Sequence, residues 1–416
     1  MKKHKILAGF LALGLSASLF FQVPAFAEEA SDTTSDTAQA IATNSISGWP
    51  QASDISSEAA VVMEDSTNTI LYSKNADEVL YPGSTVKIMT CLLALENCQL
   101  TDEVTMTATG VSGVTDGGAS IASQVDEVFT IEQCLYAIMV ASANDIALQI
   151  AEHTGGSVEA FVQMMNDRAT ALGCTNTVFT NPTGLPDENQ HTTAHDMALI
   201  MQAAIQSDAF RTIAAATSYT IPATNKAAAR NLTSKFTMTD TGNSGFYEGC
   251  IGGKEGYTEA SGSTLVCAAQ RNGMTLISVV LKGASGQTAP DAASILNYGF
   301  DQFQIASLGD SDFSIISGGE VVLPVGASTD SLTTQDFQNG NEIQRTYLFG
   351  GTPVGSATLE VVEAQDDTDI QNGEQNMQAA RTYSENHTYI PYFIIAAGLL
   401  LVLILLLWRM IKIIKS

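Results

Sequence analysis

The segment Tyr81-Pro82-Gly83-Ser84-Thr85-Val86-Lys87 holds the single Ser-x-x-Lys of the chain. A serine hydroxyl is a weak nucleophile until a base takes its proton. A lysine one helical turn away on the same face is such a base when burial or a neighbouring cation holds it neutral. Pro82-Gly83 ahead of an apolar helical pattern puts Ser84 at a helix N-terminus, where backbone N–H groups and the helix dipole favour a developing alkoxide. By itself the motif is common, and an N-cap serine with a solvated lysine fits the same letters.

Two more polar groups stand in unexpected surroundings. Ser142-Ala143-Asn144 interrupts an apolar helical region, where two polar side chains need partners or a cleft, although a helix-to-helix loop with local capping reads the same way. Lys254-Glu255-Gly256, followed by Tyr257 and Thr258, lies on a strand whose glycines let another chain come close. The inference rests on the order and separation of the three pieces.

The elements that must carry these residues follow from pattern. Apolar runs at 59–63 and 70–72 around Asp65-Ser66-Thr67-Asn68 predict a hairpin. Helices are predicted over 84–97, 131–152 and 157–172, the last stopped by Gly173, and Thr193 with Asp196 three residues on resembles a capping box. Strands over 263–269 and 274–282 alternate and are joined by the turn Gln270-Arg271-Asn272-Gly273, and a last helix is predicted over 289–303. A hairpin, many helices and then returning strands predict an α/β (α+β) enzyme with an antiparallel sheet packed by helices over 53–305. From 312 to 364 short apolar runs broken by Gly and Pro predict a small all-β domain.

Both termini are hydrophobic. Residues 1–27 read as a secretory signal with a basic start, an apolar run and Ala25-Phe26-Ala27 as cleavage site, and 28–52 as a flexible acidic leader with order beginning near Ala52. Residues 392–408 form an uncharged apolar run close to a bilayer span of about 20 residues, set off by Tyr389, Tyr392 and Trp408 and followed by Arg409, Lys412 and Lys415. The expectation is a linker over 365–389, a single transmembrane helix over 390–408 and a cytoplasmic tail at 409–416, with the catalytic domain outside the cell membrane. The net charge of −26 over 416 residues argues against nucleic acid as a partner, and requires a local positive focus for any anionic substrate. The six cysteines contain no Cys-x-x-Cys pair, leaving either buried free thiols or a disulfide.

Ser84-x-x-Lys87, Ser142-x-Asn144 and Lys254-x-Gly256 resemble the three signature motifs of penicillin-binding proteins and serine β-lactamases. More narrowly, NADEVLYPGSTVKIMTCLLALE, ASANDIALQIAEHTGG, NPTGLPDENQHTTAHDMALI and LISVVLKGAS are similar to the low-molecular-mass D-alanyl-D-alanine carboxypeptidases, and GTPVGSATLEV resembles the close of their small β domain. The resemblance implies that Ser84 is acylated by the penultimate D-alanine carbonyl of a peptidoglycan stem peptide, with β-lactam antibiotics as covalent inhibitors and with no cofactor or metal. It implies that Lys87 accepts the proton, Ser142 relays one to the leaving amine, and Asn144 binds the substrate amide and orients Lys87. It also implies that Lys254 attracts the terminal carboxylate, and that the Ser84 and Tyr257 N–H groups form an oxyanion hole worth about 3 kcal/mol per donor.

Glu255 departs from that pattern, because relatives carry Thr or Ser there and use the hydroxyl to hold the substrate carboxylate. Three outcomes follow. Glu255 pairs with Lys254 or Arg271, or is protonated, with Thr258 as a substitute hydroxyl; the substrate is engaged as an internal cross-link; or the protein is an impaired or inactive homologue that binds wall peptides. Other classes fit less well. No Glu-x-x-Leu-Asn follows Ser142, as a β-lactamase requires. His191 and His195 lack the His-Glu-x-x-His of a zinc hydrolase and read as loop and helix-start residues.

Overall fold

The computed structural model describes residues 41–113, 118–308 and 314–360. The predicted signal, the linker, the apolar run at 392–408 and the basic tail lie outside the described residues. Among the described residues no helix is long and apolar enough to cross a membrane.

The chain divides into two compact units, one of residues up to Asp65 together with Ile70–Gln302, the other of Ser66–Thr69 together with the chain from Phe303. The first is built on a five-stranded antiparallel sheet. Its strands are β1 (Ala59–Glu64), β2 (Ile70–Lys74), β3 (Cys250–Thr258), β4 (Gly262–Arg271) and β5 (Met274–Gly283), in the order β2-β1-β5-β4-β3. The predicted hairpin is therefore β1-β2, and Asn272 and Gly273, both at positive φ, make the tight turn between β4 and β5.

Seven longer helices accompany the sheet: α1 (Lys87–Asn97), α2 (Ile131–Val140), α3 (Asn144–Gly155), α4 (Val158–Ala171), α5 (Ala194–Ile205), α6 (Asp208–Ala214) and α7 (Thr288–Gln302). Val61, Met63, Ile277, Val279 and Leu281 join α1–α6 in one continuous core. The other face meets α7, where Gly299 lies against Leu276, Val62 and Leu71. This sandwich corrects the alternating pattern expected of β4 and β5. With helices on both faces, both sets of side chains are buried, and Leu265 through Ala269 and Leu276 through Leu281 run without an exposed position.

Three local expectations change. The predicted helix over 131–152 is two helices, because Ser142 adopts a left-handed backbone (φ 57°) between α2 and α3. Thr193 caps α5 by accepting from Asp196 N, but the Asp196 carboxylate does not return to the cap. It accepts instead from Thr175 N, Asn176 N and the Thr177 hydroxyl. The chain is also ordered earlier than Ala52: Trp49 is buried with its indole N–H donating to Leu71 O at 3.0 Å, and Pro50 O accepts from Tyr298 at 2.7 Å. An aromatic ring docked on the sheet outweighs the polar composition around it.

The second unit is a five-stranded antiparallel sheet of β6 (Phe303–Ser307), β7 (Ser314–Pro324), β8 (Thr333–Asn339), β9 (Glu342–Phe349) and β10 (Thr352–Glu360), ordered β6-β7-β10-β9-β8. Val321, Val322, Leu323, Val354 and Leu359 are its buried centre. The small β domain thus begins nine residues before the predicted 312, because α7 ends at Gln302 and β6 pairs with β7. All six cysteines are free thiols, with Cys91, Cys134 and Cys267 buried.

Candidate active site

Ser84 lies not on the first α-helical turn but on the 3-10 turn Gly83–Val86 that runs into α1. The difference matters, because residues i and i+3 eclipse in a 3-10 turn and stack Lys87 on Ser84 more directly than an α-helix would. Two glycines let neighbouring backbone press against this turn. A β-carbon on Gly256 would sit 2.6 Å from Ser84 N, and one on Gly184, which is at φ 80°, would overlap the Gly83 carbonyl.

Lys87 is fully buried. Its Nζ donates to Asn144 Oδ1 at 2.7 Å and to the Thr183 carbonyl, and stands 3.4 Å from Ser84 Oγ. A neutral amine has two hydrogens and one lone pair; the two close acceptors take the hydrogens, and the lone pair is left for the serine. Burial first, and then the positive charge of Lys254, hold the Lys87 amine well below the usual lysine range. The arrangement can therefore deprotonate Ser84 at a pH where an exposed lysine would be fully charged.

The break between α2 and α3 delivers the second pair. Ser142 is held in a conformation that costs a non-glycine residue about 1–3 kcal/mol. Asn144, the first residue of α3, points its side-chain oxygen at Lys87. Beside it the buried Asp145 accepts from Ser120 Oγ at 2.7 Å and from Ser123 N and Oγ at 3.1 and 2.8 Å, which ties down the segment bordering the cleft.

On the third side runs β3, an edge strand with a neighbour only in β4. Lys254 is buried, and its ammonium donates to the Glu255 carbonyl oxygen at 2.8 Å. Burial depresses it to about 8, partly offset by the Glu255 carboxylate. A cleft of about 530 Å³ is lined by Ser84, Ser142, Asn144, Lys254, Glu255, Gly256, Tyr257 and Thr258, so eight of the nine sequence-predicted residues border one space and Lys87 lies buried behind it.

Two expectations about β3 are corrected. Thr258 is no spare hydroxyl, because its Oγ1 is engaged with Ser261 Oγ at 2.8 Å and accepts from Ser261 N at 2.9 Å. Arg271 does not neutralise Glu255: it donates to Glu248 O and Asn297 Oδ1 and lies over the Tyr247 and Phe300 rings. Sequence reasoning also missed Lys235, an exposed lysine that lines the cleft, and the Thr183 carbonyl. Lys235 was visible only as one of 18 basic residues in an acidic chain; a backbone carbonyl leaves no side-chain signal.

The model of the D-alanyl-D-alanine carboxypeptidase family, peptidase family S11, matches residues 46–285, which include all nine residues. The chain belongs to that family. Family members similar to it include D-alanyl-D-alanine carboxypeptidase DacF of Bacillus subtilis, 34% identical over 61% of this chain and 65% of that one. A second is DacB2 of Mycobacterium tuberculosis, 30% identical over 60% of this chain and 84% of that one. The matched segment thus spans just under two thirds of the Bacillus relative. Among solved structures, the Streptomyces K15 DD-transpeptidase aligns with a TM-score of 0.57 and 30% identity, over 61% of this chain and all of that one. The Francisella tularensis carboxypeptidase DacD covers 75% of this chain and 94% of that one at 22% identity and a TM-score of 0.61, a likeness of fold. The family fold is the penicillin-binding, transpeptidase-like α/β arrangement of antiparallel sheet and helices described above.

Proposed function

We propose that the protein is a serine D-alanyl-D-alanine carboxypeptidase acting on peptidoglycan stem peptides through an acyl-enzyme. The observation that carries this reading is the buried Lys87 amine, with two acceptors fixing its hydrogens and Ser84 Oγ in its remaining direction. Ser84 Oγ attacks the penultimate D-alanine carbonyl while its proton passes to Lys87. The C–N bond breaks as the leaving amine takes a proton through Ser142, and D-alanine departs. Water then attacks the Ser84 ester carbonyl and gives a proton to the Lys87 amine, which passes it to Ser84 Oγ as the acyl–oxygen bond breaks and the shortened peptide leaves with a new C-terminal carboxyl group.

The edge of β3 suits an extended peptide, which can add beside it as a further strand. In this role Tyr257 N–H and Ser84 N–H polarise the reacting carbonyl, Asn144 meets the substrate amide, and Lys254 with Lys235 supplies the positive focus that so acidic a chain needs. The apolar run at 392–408 supports a reading in which the domain is held at the outer face of the cell membrane by one helix, with a short cytoplasmic tail. Penicillins are expected to acylate Ser84 by the same route.

Release of D-alanine from a pentapeptide tests the activity. Wild type is expected to release it and Ser84→Ala to release none. Absence of release by folded wild type, together with tight binding of wall peptides, would favour the wall-binding alternative.

A further inference from the structure

Glu255 is the one carboxylate among the described residues that lines the cleft, and its neighbours do not account for it. Among the described residues, its side chain makes no hydrogen bond and no ion pair within reach. Lys254, next to it on β3, turns its ammonium to the Glu255 carbonyl oxygen rather than to the carboxylate. Glu255 and Gly256 also line a second hollow of about 680 Å³ beyond the cleft, whose other lining includes Thr237, Asn243, Ser244 and Ser263 and, among the described residues, no second charged side chain. Among the described residues, the charged groups that face Glu255 are Lys254 on its own strand and Lys235 on the segment before it, with Lys87 at the start of α1 next beyond Lys254.

Its place relative to the chemistry is fixed by Gly256, whose backbone presses on Ser84 N. Whatever acyl donor reacts at Ser84 lays the groups flanking its scissile bond against this part of β3. In a D-alanyl-D-alanine terminus one such group is the free carboxylate, a single residue, about 3.8 Å of chain, beyond the bond that breaks. We infer that Glu255 determines specificity for the leaving group: a substrate with an ionised carboxylate beside the scissile bond binds productively only with a proton shared between that carboxylate and Glu255, whereas a substrate with no carboxylate there needs no such proton. The inference rests on the acyl-transfer reading above and adds its leaving-group preference. Donors whose leaving group is capped as an amide, or continued by further chain as in an internal cross-link, are favoured at neutral pH, and the second hollow gives a continued chain somewhere to lie.

Burial raises the Glu255 carboxyl above the ordinary glutamate range, while Lys254 and Lys235 oppose the rise. The protonated form that accepts a carboxylate is therefore populated at low pH and lost as pH climbs through the raised value. Lys254, depressed to about 8, stays charged over that interval, so its own titration enters only above it.

The test compares kcat/KM for an Nα-acylated peptide ending in D-Ala-D-Ala with that for the same peptide ending in D-Ala-D-Ala-amide, from about pH 5 to about pH 7. In wild type the acid-to-amide ratio is expected to fall at least about tenfold across the range. In Glu255→Gln it is expected to be flat there and to fall only near pH 8. A purely structural role would change both substrates alike and leave the ratio constant; a flat ratio in wild type, or an unchanged slope in Glu255→Gln, overturns the inference. Turnover of neither substrate would sink the enzymatic reading instead. The inference is then read from dissociation constants of the two peptides on Ser84→Ala, where the same pH-dependent ratio supports it and a constant ratio or no binding contradicts it.

Discussion

Lys87 and Glu255 serve one cleft and are housed in opposite ways. The lysine is buried with both of its close acceptors in place, so its neutral form is built into the fold. The glutamate lines the open space without a partner among the described residues, so its state is left to pH and to whatever enters. The nucleophilic half of the site is thus preorganised for one task, while the recognition half is adjustable.

The largest effect is expected at the lysine. Lys87→Met removes the base but keeps an apolar stem in the same space. Acylation of Ser84 is expected to drop by about 10³–10⁴, measured as the second-order rate of penicillin labelling, with little change in thermal stability. A loss under tenfold would mean that another group takes the serine proton. Asn144→Leu tests the preorganisation itself, since Lys87 then keeps only the Thr183 carbonyl as a close acceptor. Labelling should slow by about 10²-fold and its pH profile should shift, whereas an unshifted profile would show that Asn144 does not position the amine.

The pH dependence sharpens the contrast. With a lowered Lys87, kcat/KM for the amide-capped peptide, which needs no proton on Glu255, should rise with pH at values where an exposed lysine is still fully protonated, and in Glu255→Gln capture of a free carboxylate should fade above about 8 as Lys254 loses its charge. An acidic limb in the ordinary lysine range would contradict the assignment.

The smallest effect is on stability. Lys254 has its folded value depressed below 10.5, so it binds its proton less readily folded than unfolded. Its burial cost is fully present below about 8 and relieved as pH rises toward 10.5. Lys254→Met should therefore raise the melting temperature near pH 7 by a few degrees, corresponding to about 1–3 kcal/mol, while weakening carboxylate capture. A lower melting temperature would show that the Lys254 bond to the Glu255 carbonyl outweighs the burial cost.

Much of this was legible in the sequence, for identifiable reasons. Ser84 and Lys87 could be paired because three-residue spacing constrains side-chain direction in any helical turn, and the β4-β5 hairpin because Asn272-Gly273 tolerates positive φ. The break at Ser142 was hidden, since a serine at positive φ is imposed by the surrounding fold and not by its own preference. The Lys87 partner at Thr183 is a carbonyl 96 residues away in sequence, and only tertiary packing brings it there. The two-faced burial of β4 and β5 was hidden for a related reason: a run such as Leu276-Ile277-Ser278-Val279-Val280-Leu281 records that both faces are covered but not by what. The identity of Glu255 is plain in the sequence; its lack of a partner among the described residues is not, because only the fold turns the Lys254 ammonium and the Arg271 guanidinium elsewhere.

The most direct measurement is mass spectrometry of the intact protein after exposure to a penicillin, with the adduct located by peptide mapping. A single covalent adduct is expected, as an ester on Ser84, absent in Ser84→Ala and strongly slowed in Lys87→Met. Failure of the folded wild type to form an adduct, or an adduct on any other residue, would contradict it.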